Sequence, residues 1–342
     1  MKPYPDPILT ASLFADGYLD DLFCRVIVPA ALELGLEPTA GHYLWLVRYG
    51  LGGDHWKLRF HGEPAEGERL FAALEEHAAS TFSLLPEQNG PGKRIHSAVP
   101  LDADERVVDE KEVDEEGADA EPANPRQLVR TVYRRHHVSL ATAALHEQDA
   151  YCAAFTRAMA HGTSALIQGV EAGAEGEWSH GARFTFLLKL LSDGIAELAL
   201  GASEEKQYIV YHRDTLLRST SDDGEKSIAD GIAVFDRRLD KMADGGARLV
   251  KFARGRIDNV RGAAGTPQPG LWQGGLAAGY EAIVPLVAAV EGRIDSYAEK
   301  KSHLPLFKIF QGTSNQIGLN VVEEAYVHHI LLRALGAGES SP

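Results

Sequence analysis

Cysteine is nearly absent from this chain of 342 residues: Cys24 and Cys152 are the only two, and they form no CxxC pair. That excludes a disulfide scaffold and a cysteine-built zinc site, and it points to a reducing, cytoplasmic compartment. No apolar run approaches the roughly 18 residues of a membrane-spanning helix. The opening Met1-Lys2-Pro3-Tyr4-Pro5-Asp6-Pro7 lacks the apolar core of a signal peptide. There is no Gly-x-Gly-x-x-Gly or Walker loop and no Gly-x-Ser-x-Gly elbow, so neither a nucleotide cofactor nor a hydrolase triad is expected. The 14 histidines contain no His-x-x-x-His or His-Glu-x-x-His spacing, and no metal is expected. Cations are scarce, 34 against 49 acids, and the net charge of -15 argues against binding to a nucleic-acid backbone. Much of that charge is local: Asp102 to Glu121 carries eleven acids against Arg106 and Lys111, a net of -9. This run reads as a solvated loop or flap. No internal repeat is present.

What is present begins with Tyr43-Leu-Trp-Leu-Val-Arg-Tyr49, a glycine-rich turn, and His55-Trp-Lys-Leu-Arg-Phe60. Alternate residues of a strand share a face. The pattern predicts an antiparallel hairpin with Trp56, Leu58 and Phe60 on one side and His55, Lys57 and Arg59 on the other, facing a cavity or groove. An edge strand defended by charge is the other reading of the same alternation.

Helical spacing is expected over Gly17–Leu34, Pro64–Ala79, Asp149–Met159, Ala182–Leu200 with Gly201 as its C-cap, Glu204–Leu217, Glu225–Met242, Gly246–Val260, Trp272–Ser296 and Val321–Leu335. Ser83-Leu-Leu-Pro and Arg94-Ile-His-Ser-Ala-Val read as strands. His328 and His329 are expected at the surface near a helix C-terminus. Strands first and helices later indicate an α+β fold, with antiparallel β-strands in the N-terminal part and a large helical lobe. The chain reads as a single domain over 1–342, mixed α/β over 1–125 and mainly helical over 126–342.

Two motifs at opposite ends of the chain resemble the C-terminal, glutamate-eliminating domain of lantibiotic dehydratases. The hairpin is similar to that family's aromatic strand ending in Arg-Tyr and its His-Leu-Arg-x-Arg-Phe partner. Gln311-Gly-Thr-Ser-Asn315-Gln-Ile-Gly318 and the Glu323-Glu-Ala helix are similar to its His-Met-x-x-Asn-Arg-Leu-Gly motif and the helix after it. The departures fall on the elimination chemistry. Lys57 stands where the first hairpin arginine would be, and Arg59 is kept. Gln311 replaces the motif histidine, Gln316 the arginine after it, and no Glu-Arg-Tyr-Gly-Gly occurs. An amide cannot exchange protons near neutral pH as imidazole does. The other stand-alone branch of the family is the thiopeptide pyridine synthases, and Tyr133-Arg-Arg-His-His-Val-Ser-Leu140 with Asp149-Ala-Tyr151 looks like that branch.

The resemblance implies an elimination-domain-like fold and a ribosomal peptide substrate carrying azoles, two dehydroalanines and a leader. It implies a formal [4+2] aza-cycloaddition that forms a pyridine with loss of water and of the leader, without metal or redox cofactor. Tyr280 is the candidate acid, because a phenol can donate to a carbonyl oxygen and recover its proton. Gly270, Gly274, Gly275 and Gly279 surround it and suggest close approach of a peptide or tight helix packing. Trp272 offers a stacking surface for a thiazole. Lys57, Arg59 and Gln311 are candidates to polarise an amide oxygen, and Tyr133, Asp193 and Asn315 are further candidate substrate contacts. Arg126, Arg130, Arg134 and Arg135 form the one dense basic patch; 126, 130 and 134 share a face if the segment is helical. The patch either receives an acidic leader or pairs with the chain's own acidic run. Contact with other biosynthetic enzymes is a further expectation. A stand-alone glutamate-elimination subunit and a non-catalytic leader-binding module are the alternatives.

Overall fold

A computed structural model describes residues 7–15, 17–35, 42–49, 55–86, 126–131, 149–172, 178–221, 223–242, 244–263, 265–290 and 303–336. The acidic run, the expected strand over 94–99, and Tyr133, Arg134 and Arg135 lie outside them. The chain divides into two compact units. The first comprises Met1–Ser97, Leu101–Trp178 and Ala282–Gln316; the second comprises Ala98–Pro100, Ser179–Glu281 and Ile317–Pro342.

In the first unit, β1 (Leu9–Ala15), β2 (Tyr43–Tyr49), β3 (His55–His61) and β4 (Arg126–Arg130) form an antiparallel sheet of order β2-β3-β1-β4. The expected hairpin is there, in the register Trp45↔Arg59 and Val47↔Lys57. β1 enters on the other side of β3, with Leu13↔Trp56 and Ser12↔Lys57. Residues opposite one another share a face, so Leu9, Ala11, Leu13, Leu44, Leu46, Trp56, Leu58 and Phe60 form one apolar surface, all of it buried. Near that surface, α1 (Leu19–Leu22), a π-helical turn over Phe23–Ile27 and α2 (Val28–Glu33) follow β1. Trp56 Nε1 donates to Leu19 O at 2.8 Å, and the rings of Phe23 and Trp56 lie 5.3 Å apart.

Helix α3 (Pro64–Leu84) opens with Pro64 and a Glu63–Glu66 capping box, and it runs through Ser83 and Leu84, where a strand was expected. Its apolar stripe of Leu70, Phe71, Leu74 and Ala78 is continuous with that helical period and carries the segment past the short apolar run. Among the described residues the unit also holds α4 (Asp149–Ala172), which packs against β2, the helical residues 282–289, and most of α10 (His303–Ile317).

The second unit holds α5 (His180–Leu198), α6 (Ala202–Arg218), α7 (Gly224–Lys241), α8 (Asp244–Arg261), the start of α9 (Gly275–Ala289), and α11 (Val321–Ala334). The C-terminal helix α11 packs against α5, α6, α7 and α8. It is buried on almost every side, which places His328 and His329 inside, 1% and 4% exposed, and not at the surface as expected. Burial pushes the His328 imidazole down to about 4, so it is neutral; His329 instead meets Asp236 at 3.0 Å. Gly201 does not cap α5. Ala199 takes the left-handed conformation there (φ 48°), and Gly201 sits ahead of α6. The long helix expected from Trp272 starts only at Gly275, because Gln273 and Gly274 both have positive φ, 51° and 78°.

Candidate functional site

The polar face of the sheet is buried as well. Arg59 is 4% exposed, His61 and His55 are 3%, Ser12 is 1%, and only Lys57 among the three expected cavity-facing residues is partly open. Arg59, His61 and His55 each have an aromatic neighbour on the adjacent strand. The Arg59 guanidinium lies 4.6 Å from the Trp45 ring centroid, His61 stacks on Tyr43 at 4.5 Å, and His55 lies 4.3 Å from Phe14. A guanidinium over indole keeps its charge in a poorly hydrated place. Burial, with Arg59 beside it, pushes the His61 imidazole down to about 4. A fixed cation and a neutral imidazole therefore sit two residues apart on one buried face of β3.

The C-terminal motif is helical from Gln311 to Ile317, and Gly318 follows with a left-handed φ of 78°. Gln316 ties the motif to the sheet: its Nε2 donates to Leu46 O of edge strand β2 at 2.5 Å, and its Oε1 accepts from Thr163 of α4 at 3.2 Å. Gly312 permits this approach, since a Cβ there would lie 2.7 Å from Met159 Cε. Gln316 thus does structural work with neutral hydrogen bonds where the resemblance implies an arginine. Replacing it with alanine removes both partners from a residue that is 1% exposed. Gln316→Ala should lose about 1–3 kcal/mol, the range for stranding buried polar groups, read as a lower urea midpoint.

Gln311 and Asn315 are half-buried on one face of α10, one turn apart. Asn315 Oδ1 is buried without a hydrogen-bond partner among the described residues. Lys308, a turn before Gln311, is 7% exposed, with Nζ 5.7 Å from the Phe307 ring. Sequence reasoning missed it. Its signal was a lone lysine in the apolar run Pro305-Leu-Phe-Lys-Ile-Phe310.

The described part of the basic patch, Arg126–Arg130, is a strand and not a helix, so Arg126 and Arg130 share a face through period 2. Arg126 donates to the carbonyls of Phe82, Leu85 and Pro86 at the end of α3. Arg130 lies over Phe71 and makes a two-pronged pair with Glu68 of α3, at 2.8 and 2.5 Å.

In the second unit, α5 organises the segment ahead of Tyr280. Asp193 is 0% exposed; its Oδ1 and Oδ2 accept from Arg256 Nε and Nη2 at 2.9 and 2.5 Å, and Oδ2 also accepts from Leu271 N at 2.9 Å. One turn on, Glu197 Oε2 accepts from Gly274 N at 3.1 Å. Trp272 Nε1 donates to Leu190 O at 2.9 Å. Trp272 is 0% exposed, so its ring is a packing element with no open face for a thiazole. The glycine-rich stretch is explained in part by the same helix: a Cβ on Gly270 would lie 2.5 Å from Glu197 Oε1. Tyr280, in the first turns of α9, is half-buried; burial, then Glu204, pushes its phenol up. It therefore holds its proton across neutral pH.

Three comparisons bear on these arrangements. In sequence, the chain matches no family model and no curated protein. In structure, it matches the pyridine synthase TbtD from thiomuracin biosynthesis with a TM-score of 0.54 at 15% identity, covering 96% of this chain and 98% of that one. The fold is that of a pyridine synthase. The tRNA-dependent lantibiotic dehydratase MibB from Microbispora sp. 107891 also matches, with a TM-score of 0.43 at 14% identity, over 96% of this chain and 28% of that one. Within the pyridine-synthase fold, Lys57 and Arg59 share the β3 face, and Gln311 and Asn315 share α10, all in the first unit. Trp272, Asp193 and Tyr280 belong to the second. No group of three or more potential metal ligands occurs among the described residues, and no described helix is long and apolar enough to cross a membrane.

Proposed function

We propose that this chain is a pyridine synthase of thiopeptide antibiotic biosynthesis, acting on a ribosomal peptide that carries a leader, azoles and two dehydroalanines. The observation that supports this reading most is the end-to-end likeness to a pyridine synthase, 96% of one chain on 98% of the other, in a sequence lacking the pieces of the glutamate-elimination motif.

The chemistry is redox-neutral. One dehydroalanine amide tautomerises to an iminol, giving a 2-azadiene. Two carbon–carbon bonds join it to the second dehydroalanine and leave one carbon–nitrogen double bond in the ring. Loss of water from the former amide carbon and of the leader as a carboxamide supplies the remaining two double bonds. Holding the two alkenes together is worth on the order of 7–11 kcal/mol, and acid–base help adds roughly 10²–10⁴-fold. Tyr280 is the proposed acid. Lys57, Arg59, Gln311 and Asn315 are proposed donors and acceptors for peptide amides, and the basic patch of Arg126, Arg130, Arg134 and Arg135 is proposed to meet the acidic leader.

The test is direct. The purified chain is incubated with a synthetic leader peptide bearing two dehydroalanines and thiazoles, and the products are read by mass. Pyridine formation releases the leader as its carboxamide. A glutamate-elimination subunit would dehydrate a glutamylated peptide, and a leader-binding module would change neither mass; either result would displace the proposal.

A further inference from the structure

We propose that Glu197 is a positioning residue whose carboxyl holds the Gly270–Gly274 turn against α5 and thereby sets the start of α9 and the placement of Tyr280. The inference rests on the pyridine-synthase reading only for what Tyr280 does, not for the clamp itself.

Three groups spaced along α5 grip one turn: Leu190 O takes the Trp272 indole, Asp193 takes Leu271 N, and Glu197 takes Gly274 N. The turn needs holding. Gln273 is a non-glycine residue in the left-handed region, where its Cβ crowds the following carbonyl, and Gly274 follows it there. The first regular bond of α9, Ala278 N to Gly274 O at 3.0 Å, starts from the residue that Glu197 holds. Tyr280 lies within two turns of that bond. The other Glu197 oxygen, Oε1, is packed over Gly270, buried and without a hydrogen-bond partner among the described residues.

Asp193 and Glu197 do different work. Asp193 is neutralised by Arg256 of α8. Glu197 has no cation among its described partners: it faces the Asp193 carboxylate on its own helix and backbone N–H on the turn. Helix α11 meets the first half of α5, with Glu323 on His180 and Tyr326 beside Phe184. Burial, opposed by the Gly274 bond and aided by Asp193, pushes the Glu197 carboxyl up to about 7. The clamp therefore carries a proton below neutral pH. As pH rises toward 7, ionisation therefore favours a solvated Glu197 over the clamped one and weakens the hold on Gly274.

The test uses the full chain. Hydrogen exchange at the Gly274 amide, corrected for intrinsic rate, is followed between pH 6 and 8 in the parent, Glu197→Gln and Glu197→Ala. Protection in the parent should fall about tenfold across that range, the value of one modest hydrogen bond. Glu197→Gln keeps the acceptor without the titration, so its protection should not change with pH. Glu197→Ala should be unprotected at both ends, and its pyridine formation should slow by about 10²-fold, as a misplaced group does. The parent's turnover should show an alkaline limb near 7 that Glu197→Gln lacks. A limb that persists in Glu197→Gln, or Glu197→Ala with parental protection, overturns the inference. If protection follows the Glu197 charge while no variant makes pyridine, the clamp stands and the pyridine-synthase reading falls.

Discussion

Tyr280→Phe should form pyridine roughly 10²–10⁴ times more slowly than the parent while binding the precursor peptide equally well. The substitution keeps the ring and removes one hydroxyl from a half-buried position. Because burial and Glu204 hold the phenol protonated, it can give a proton to the amide oxygen as the iminol forms and be restored by the proton that leaves the amide nitrogen. Losing a group that acts only at the barrier lowers the maximal rate without raising the substrate concentration needed to reach half of it. Single-turnover mass spectrometry measures this, and the variant should accumulate uncyclised or hydrated peptide. A Phe variant that cyclises at the parental rate would make Tyr280 a packing residue and shift attention to Asn315 and Gln311.

Asp193→Ala should destabilise the chain by about 3–5 kcal/mol, because truncation strands the Arg256 guanidinium and the Leu271 N–H together. That is a large share of the roughly 5–15 kcal/mol that holds a native protein together. Guanidinium-chloride unfolding should show a markedly lower midpoint. Asp193 was expected to touch substrate; its burial and its three bonds assign it to the fold. A variant with parental stability and no turnover would return it to the peptide.

The hairpin was legible because its alternation is strict and both partners carry large apolar residues, which leaves one pairing that buries them. The helices were legible for the same reason at period 3.6, down to the Pro64 start of α3. What period cannot show is whether a polar face meets water or a second layer. His55 and Arg59 look alike in either case, and only the surrounding elements bury them. His328 and His329 were misplaced on the same ground, since a helix buried all round has no polar side to put them on. The turn at Gln273 and Gly274 was hidden because glutamine is a good helix former, and only tertiary contacts hold it left-handed. Glu197 carried little local signal, because a part-buried carboxyl is recognised by its surroundings and not by its neighbours in sequence.

The order in which the chain visits its two units has a consequence for synthesis. Apart from Ala98–Pro100, the first unit runs to Trp178, is resumed at Ala282 and is closed only at Gln316. The hydrogen bond that seals edge strand β2, from Gln316 to Leu46, spans 270 positions in sequence. A ribosome that has delivered the whole sheet has not yet delivered its cover. During that interval the nascent chain carries an open strand edge, of the kind that pairs with other chains. Neither unit can be excised by a single cut, so fragments ending before residue 316 should be the aggregating ones.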